Sequence, residues 1–166
     1  MSMTSQSHPA RQNPFLSAVI NKMQVKLPAL SVNEGMARAT VAAFVSQLDP
    51  SVTELADIKC AVSEAVTNSI VHGYRNVVDG PQIITITVSI LEGRAVKIEI
   101  KDKGCGIPDV RAARQPLYTT DAAGERSGMG FTVMESFTDR LAVHSAKGRG
   151  TLVVMTKYMQ KAEKQP

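Results

Sequence analysis

The chain has 166 residues, 43% hydrophobic and 20% charged, with 19 basic against 15 acidic side chains. That size and balance suit one globular domain able to bury about 70% of its unfolded surface, and no run of about 18 apolar residues offers a membrane span. The net charge of +4 is small and scattered and Trp is absent, so neither a basic groove nor a stacking platform for nucleic acid is expected.

Residues 1 to 20 are polar, carry Pro9 and Pro14, and lack the apolar stretch of a signal peptide. They read as an extension ahead of a domain over residues 21–160, with 161–166 as a tail. Met23 to Leu27 alternates apolar and polar residues, as an edge strand does. Ser31-Val-Asn-Glu34 and Ser51-Val-Thr-Glu54 both have capping-box spacing, so each should open a helix. The first helix has Val41, Phe44, Val45 and Leu48 as its apolar stripe and stops at Pro50. The second runs to about Tyr74 with Leu55, Ile58, Val62, Val66, Ser69 and Gly73 on its stripe.

Beyond the Asp79-Gly80-Pro81 turn, Ile84, Ile86, Val88 and Ile90 alternate with polar residues, and Glu92-Gly93 turns that strand into Val96, Ile98 and Ile100. Residues 103–130 are glycine-rich and aperiodic, the signature of a functional lid. Phe131 to Thr138 reads as a short helix. Leu141–His144 and Thr151–Tyr158 form a last hairpin around Lys147-Gly-Arg-Gly150. The expected fold is an α/β sandwich, a mainly antiparallel sheet with helices on one face. Cys60 and Cys105 lie far apart without a CxxC pattern, which suggests a reducing, cytoplasmic setting and no zinc site.

Three polar residues of the second helix, Glu64, Asn68 and His72, are spaced by four and share one row. Glu64 points about 160° and Asn68 about 120° from the Val62/Val66 stripe. An amide oxygen suits Mg²⁺, and a carboxylate one turn earlier can take a proton from a hydroxyl; the polar face of any amphipathic helix carries the same residues. Asp102-Lys-Gly104-Cys-Gly106-Ile107-Pro108 leaves a strand with two glycines that permit close backbone approach. A tight turn capping the strand would read the same way. Gly124-Glu-Arg126-Ser127-Gly128-Met129-Gly130-Phe131 enters a helix, where successive N–H groups can cradle phosphates and Arg126 can reach a terminal one. No Lys-Ser/Thr follows, so it is not a Walker A loop. Gly148-Arg-Gly150-Thr151 is a hairpin turn with a hydroxyl available for a contact.

In order and context, these four elements resemble the GHKL superfamily of ATP-binding proteins over about residues 23–158. More narrowly, Ser63 to Tyr74 and Ser127 to Glu135 are similar to the sporulation anti-sigma F factors. The resemblance implies ATP with Mg²⁺, held by Asn68 as metal ligand and by His72, Asp102, Gly104, Gly106 and Ile107. The lid would contribute Gly124, Ser127, Gly128, Met129, Gly130 and Phe131, with Thr151 from the hairpin. Glu64 would be the general base toward a serine of an anti-anti-sigma protein, and Arg126 would stabilise charge on the γ-phosphate. It also implies a homodimer that sequesters a sigma factor, and a partner contact at Arg38 on the edge of the first helix.

The sequence trims the other branches. His8, His72 and His144 offer no phosphoacceptor on a helical hairpin, and little chain follows the last strand to hold a transducing domain. A stress-response anti-sigma B kinase, or a nucleotide-dependent binding module without phosphotransfer, stays open, although Glu64 has no use in the latter.

Overall fold

The computed structural model describes residues 18–77, 79–116 and 128–160. Its five strands are β1 (Val19–Pro28), β2 (Ile83–Leu91), β3 (Ala95–Lys101), β4 (Arg140–Ser145) and β5 (Thr151–Tyr158). They form one antiparallel sheet in the order β1-β2-β3-β5-β4. The helices are α1 (Val32–Val45), α2 (Val52–Asn68), a single turn α3 (Val110–Ala113) and α4 (Gly130–Phe137). This is the α/β sandwich that the alternating strands and capped helices imply.

Alternation decides which face of the sheet meets the helices. Ile86 pairs with Ile100 and Val88 with Ile98, and all four are buried with Val153 and Met155 of β5. Val41 and Val45 of α1, Ile58, Val62 and Val66 of α2, and Met134 of α4 complete that core. Each such side chain stabilises the fold by roughly 1.5–3 kcal/mol through burial, and a one-residue slip of register would turn the whole set outward. The opposite face is polar: the Gln24 amide donates to Thr87 Oγ1 at 3.1 Å, and Lys97 pairs with Glu99 at 3.2 Å.

Two boundaries differ from the sequence expectation. Val19 already pairs with Leu91, and the Glu92 N–H donates to the Ala18 carbonyl at 3.0 Å. Residues 19 and 20 therefore belong to the sheet rather than to the polar extension, because an edge strand needs only backbone partners, which composition does not reveal. The capping box expected at Ser31 does not form. Ser31 is already helical (φ −56, ψ −33) and its side chain caps nothing, whereas a capping residue needs extended backbone. Glu34, the other half of that box, instead accepts hydrogen bonds from Ser63 of α2 and Arg38 of its own helix.

The box at Ser51 does form. The Glu54 N–H donates to Ser51 Oγ at 3.2 Å and the Ser51 N–H returns to Glu54 Oε2 at 2.8 Å. Glu54 Oε1 also accepts from the Gln160 N–H at 2.8 Å, pinning the chain after β5 to the start of α2. Lys157 makes a second tie, to Asp57 of α2 at 3.0 Å and to the Phe137 carbonyl at the end of α4 at 2.9 Å, where a cation complements the helix dipole.

Partial burial works against ionisation of Glu54, but the N–H donors of Gln160 and Ser51, the Ser51 hydroxyl and nearby Lys157 outweigh it and lower its pKa. A depressed carboxyl pKa contributes stability above its ordinary value, and that stability is lost as pH falls through the folded value. Glu54→Gln should therefore destabilise the protein at pH 7. The difference in denaturant midpoint from the parent should shrink as the pH drops below about 4; a difference constant from pH 7 to pH 3 would refute the charge-assisted role.

Candidate active site

The site is built where α2 ends. Its α-helical pattern stops at Asn68 and gives way to a π turn over Ser69–Gly73, with the Tyr74 N–H reaching back to the Ser69 carbonyl at 3.0 Å. Such wide turns often sit at functional sites. The four-residue row thus holds for Glu64 and Asn68, while His72 lies in the wider turn.

Glu64 and Asn68 meet the first residue of α4. A Cβ built on Gly130 would lie 3.1 Å from Glu64 Oε2 and 3.2 and 3.3 Å from the two amide atoms of Asn68. A side chain there would have to push Glu64 or Asn68 aside by a few tenths of an ångström. Gly128 ahead of it has φ +66, which suits glycine, and Met129, Gly130 and Phe131 are half-buried beside the row. Arg114, just after α3, donates to Glu135 of α4.

Asp102 leaves β3 and is buried to 3% exposure. Its Oδ1 accepts from the Gly104 N–H at 2.9 Å and the Thr151 N–H at 3.1 Å, and its Oδ2 accepts from the Ser69 hydroxyl at 2.9 Å. A carboxylate offers about four acceptor positions. Oδ2 therefore keeps one for a further donor. Gly73 has no Cβ to crowd this group; one built there would stand 3.1 Å from Oδ2.

The glycines of this loop also pack backbone on backbone. A Cβ on Gly104 would lie 1.9 Å from the Gly73 carbonyl oxygen, and the Cys105 N–H donates to that oxygen at 2.7 Å. Gly106, at φ +70, turns the same loop against Ala146. Ser145 joins the loop to the β4–β5 hairpin: its hydroxyl accepts from the Ile107 N–H at 2.8 Å and lies 2.8 Å from the Gly150 carbonyl and 2.9 Å from Thr151 Oγ1.

Of the residues singled out in the sequence, Glu64, Asn68, Gly130 and their neighbours Gly128, Met129 and Phe131 come together. Asp102, Gly104, Gly106, Ile107 and Thr151 form a second, contiguous group, joined to the first through the π turn that holds His72. Gly124, Arg126 and Ser127 lie outside the described residues. Arg38 is exposed on α1, where it pairs with Glu34 rather than with a residue of either group. Ser69 and Ser145 were not anticipated as polar site residues. The signal for Ser69 was a hydroxyl at an otherwise apolar stripe position; Ser145 carried none.

Residues 27–157 match the histidine kinase-like ATPase domain. The chain is 50% identical over 143 residues to an anti-sigma F factor of Bacillus licheniformis, covering 86% of this chain and 96% of that one. It is 55% identical over 139 residues to an anti-sigma F factor of Caldanaerobacter subterraneus, covering 84% and 94%. The chain belongs to the histidine kinase-like ATPase family, in its anti-sigma F group. Among solved structures, the RsbU and RsbW domains of a Mycobacterium tuberculosis protein resemble it with a TM-score of 0.59 at 18% identity, over 84% of this chain and 32% of that one. A blue-light activated histidine kinase of Erythrobacter litoralis does so with a TM-score of 0.54 at 17% identity, over 75% and 41%. At such identities these likenesses speak to the fold. Membership in an ATPase family implies that ATP is the nucleotide taken, and the acceptor left on Asp102 Oδ2 and the bare Cα of Gly130 beside Glu64 and Asn68 fit such a ligand. Among the described residues no helix is long and apolar enough to cross a membrane.

Gly104→Ala should cost at least about 3 kcal/mol, the upper range for overpacking, because a backbone carbonyl occupies the space the methyl needs. Gly35→Ala on α1, with nothing within 4 Å, should instead stabilise by about 0.5–1 kcal/mol. Thermal unfolding of the two variants checks both signs.

Proposed function

We propose that this protein is an anti-sigma factor that binds and inhibits a sigma factor of the sporulation sigma F type, and an ATP-dependent serine kinase of the antagonist that releases it. The observation that carries the kinase reading is the contact of Gly130 with both Glu64 and Asn68. It brings a carboxylate, a neutral oxygen ligand and a helix N-terminus to one point. The anti-sigma half rests on relatives of that name at about half identity over nearly their whole length.

Bound ATP with Mg²⁺ supplies the phosphoryl group. Asp102 Oδ2 would accept from the exocyclic amino group of the base, with Ser69, Gly104 and Thr151 holding the carboxylate still. Asn68 would offer its amide oxygen to Mg²⁺, which favours hard oxygen ligands. The N–H groups at the start of α4 would hold the phosphates, and the family resemblance gives Arg126 the role of adding positive charge to them. Glu64 takes the proton from the serine hydroxyl of an anti-anti-sigma protein. Phosphoryl transfer depends mainly on such positioning and electrostatics.

The partner surface is α1. Val32, Met36, Ala39 and Ala43 fall on one outward stripe of that helix, with Val32 82% and Met36 60% exposed and both alanines exposed. A solvent face without charge on a helix suits docking, and Arg38 flanks it. Sigma factor and antagonist share this surface on a homodimer in the cytoplasm.

Glu64→Gln should retain ATP binding and lower phosphotransfer to the anti-anti-sigma protein by about 10²- to 10⁴-fold, the scale of general base catalysis. Transfer of label from ATP at the parent rate would remove Glu64 from the mechanism. Asn68→Ala should weaken nucleotide binding much more with Mg²⁺ than with EDTA in isothermal titration. Equal losses would make it a packing amide.

A further inference from the structure

The Ser31 capping box does not form, since Ser31 is itself helical, and Glu34 has other partners that bear on docking. Arg38 Nη1 lies 3.4 Å from both carboxylate oxygens of Glu34, one helical turn away. That distance is long for a charge-assisted hydrogen bond, which usually closes to about 2.7–2.9 Å. The Ser63 hydroxyl of α2 donates to the same Oε1. Glu34 is thus drawn inward, its side chain 22% exposed, while Arg38 stays 49% exposed. The carboxylate is anchored in the α1–α2 seam, and the guanidinium is held loosely at its rim, beside the uncharged Val32/Met36 stripe. A guanidinium has five N–H donors in a planar fork; one points at Glu34, and the exposed side of the fork is open to a second carboxylate.

We propose that Glu34 is a specificity-determining residue of the docking surface: it neutralises Arg38 while Ser63 keeps that pairing weak, so that only a protein presenting a well-placed carboxylate displaces it. This rests on the reading of Arg38 as a docking contact and adds a competitor to it. Ser63 sets the strength of the competitor. With Ser63 donating, Glu34 is divided between two partners, and without it the carboxylate turns wholly to Arg38. The two substitutions that break the arrangement therefore act in opposite directions, which general damage to the surface would not produce.

The test measures the Kd of the full chain, with ATP and Mg²⁺, for the host's sigma F factor. Glu34→Gln keeps an acceptor for Ser63 and removes the competing charge, so binding should tighten about twofold to fivefold, the range of an exposed ion pair. Ser63→Ala should weaken it by a similar factor. Arg38→Ala should weaken it, and adding Glu34→Gln to Arg38→Ala should bring no gain, which separates local competition from a change in net charge. ATP affinity should be the same in Glu34→Gln and the parent. If Arg38→Ala leaves binding intact, the docking role of Arg38 falls and the proposal with it. If Arg38→Ala weakens binding but Glu34→Gln leaves it unchanged or weaker, Arg38 keeps its role and Glu34 is not a competitor. A gain from Glu34→Gln that persists without Arg38 likewise overturns the proposal.

Discussion

A carboxylate removed from water must have its oxygens occupied, because each buried acceptor left bare costs about 1–3 kcal/mol and a charged one more. Asp102, at 3% exposure, meets that demand with donors from three separate segments: Ser69 in the π turn, Gly104 in its own loop and Thr151 at the start of β5. This one group therefore fixes how the end of α2, the exit of β3 and the last hairpin sit together. Around it the backbone approaches so closely that Gly104 admits no side chain, and a Cβ at Gly73 would press on Asp102 itself. The widened turn after Asn68 is part of the same arrangement, since it places Ser69 and the Gly73 carbonyl where Asp102 and Cys105 need them.

The second half of the site is assembled from the other side. Helix α4 brings Gly130 against Glu64 and Asn68, with Met134 fully buried behind it and Lys157 tying its last turn to α2 and β5. Arg114 and Glu135 join α3 to α4. The polar row is thus held between rigid elements, as chemistry governed by positioning requires. Helix α1 stands apart from this and carries two faces of different use. Val41 and Val45 enter the core, while Val32 and Met36 face solvent. Glu34 lies at the boundary between them, which is how one residue can touch both α2 and the rim of an exposed surface.

Local rules account for what was legible in the residues alone. The alternation of Ile84 to Ile90 named the strand and its buried face, because side chains on a strand change sides at every residue. Ser51 and Glu54 cap α2 through contacts three residues apart, and Glu64 and Asn68 share a face by helical spacing; each depends only on near neighbours in the chain. The order of the glycine motifs between such elements then pointed to the family, and the family brought the nucleotide.

What the tertiary structure decided involves competition between partners distant in sequence. Ser31 and Glu34 have the same spacing as Ser51 and Glu54, yet no box forms: Ser31 is itself helical, and Ser63, 29 residues away, and Arg38 hold the carboxylate. Ser69 looks like a gap in an apolar stripe until the fold sets Asp102 against it, 33 residues on. Gly104 reads as freedom to approach a ligand and proves also to be the only residue that fits against Gly73. Periodicity records the preferences of a segment for water or core; which of several acceptors a donor reaches is settled only when packing has brought them within about 3 Å.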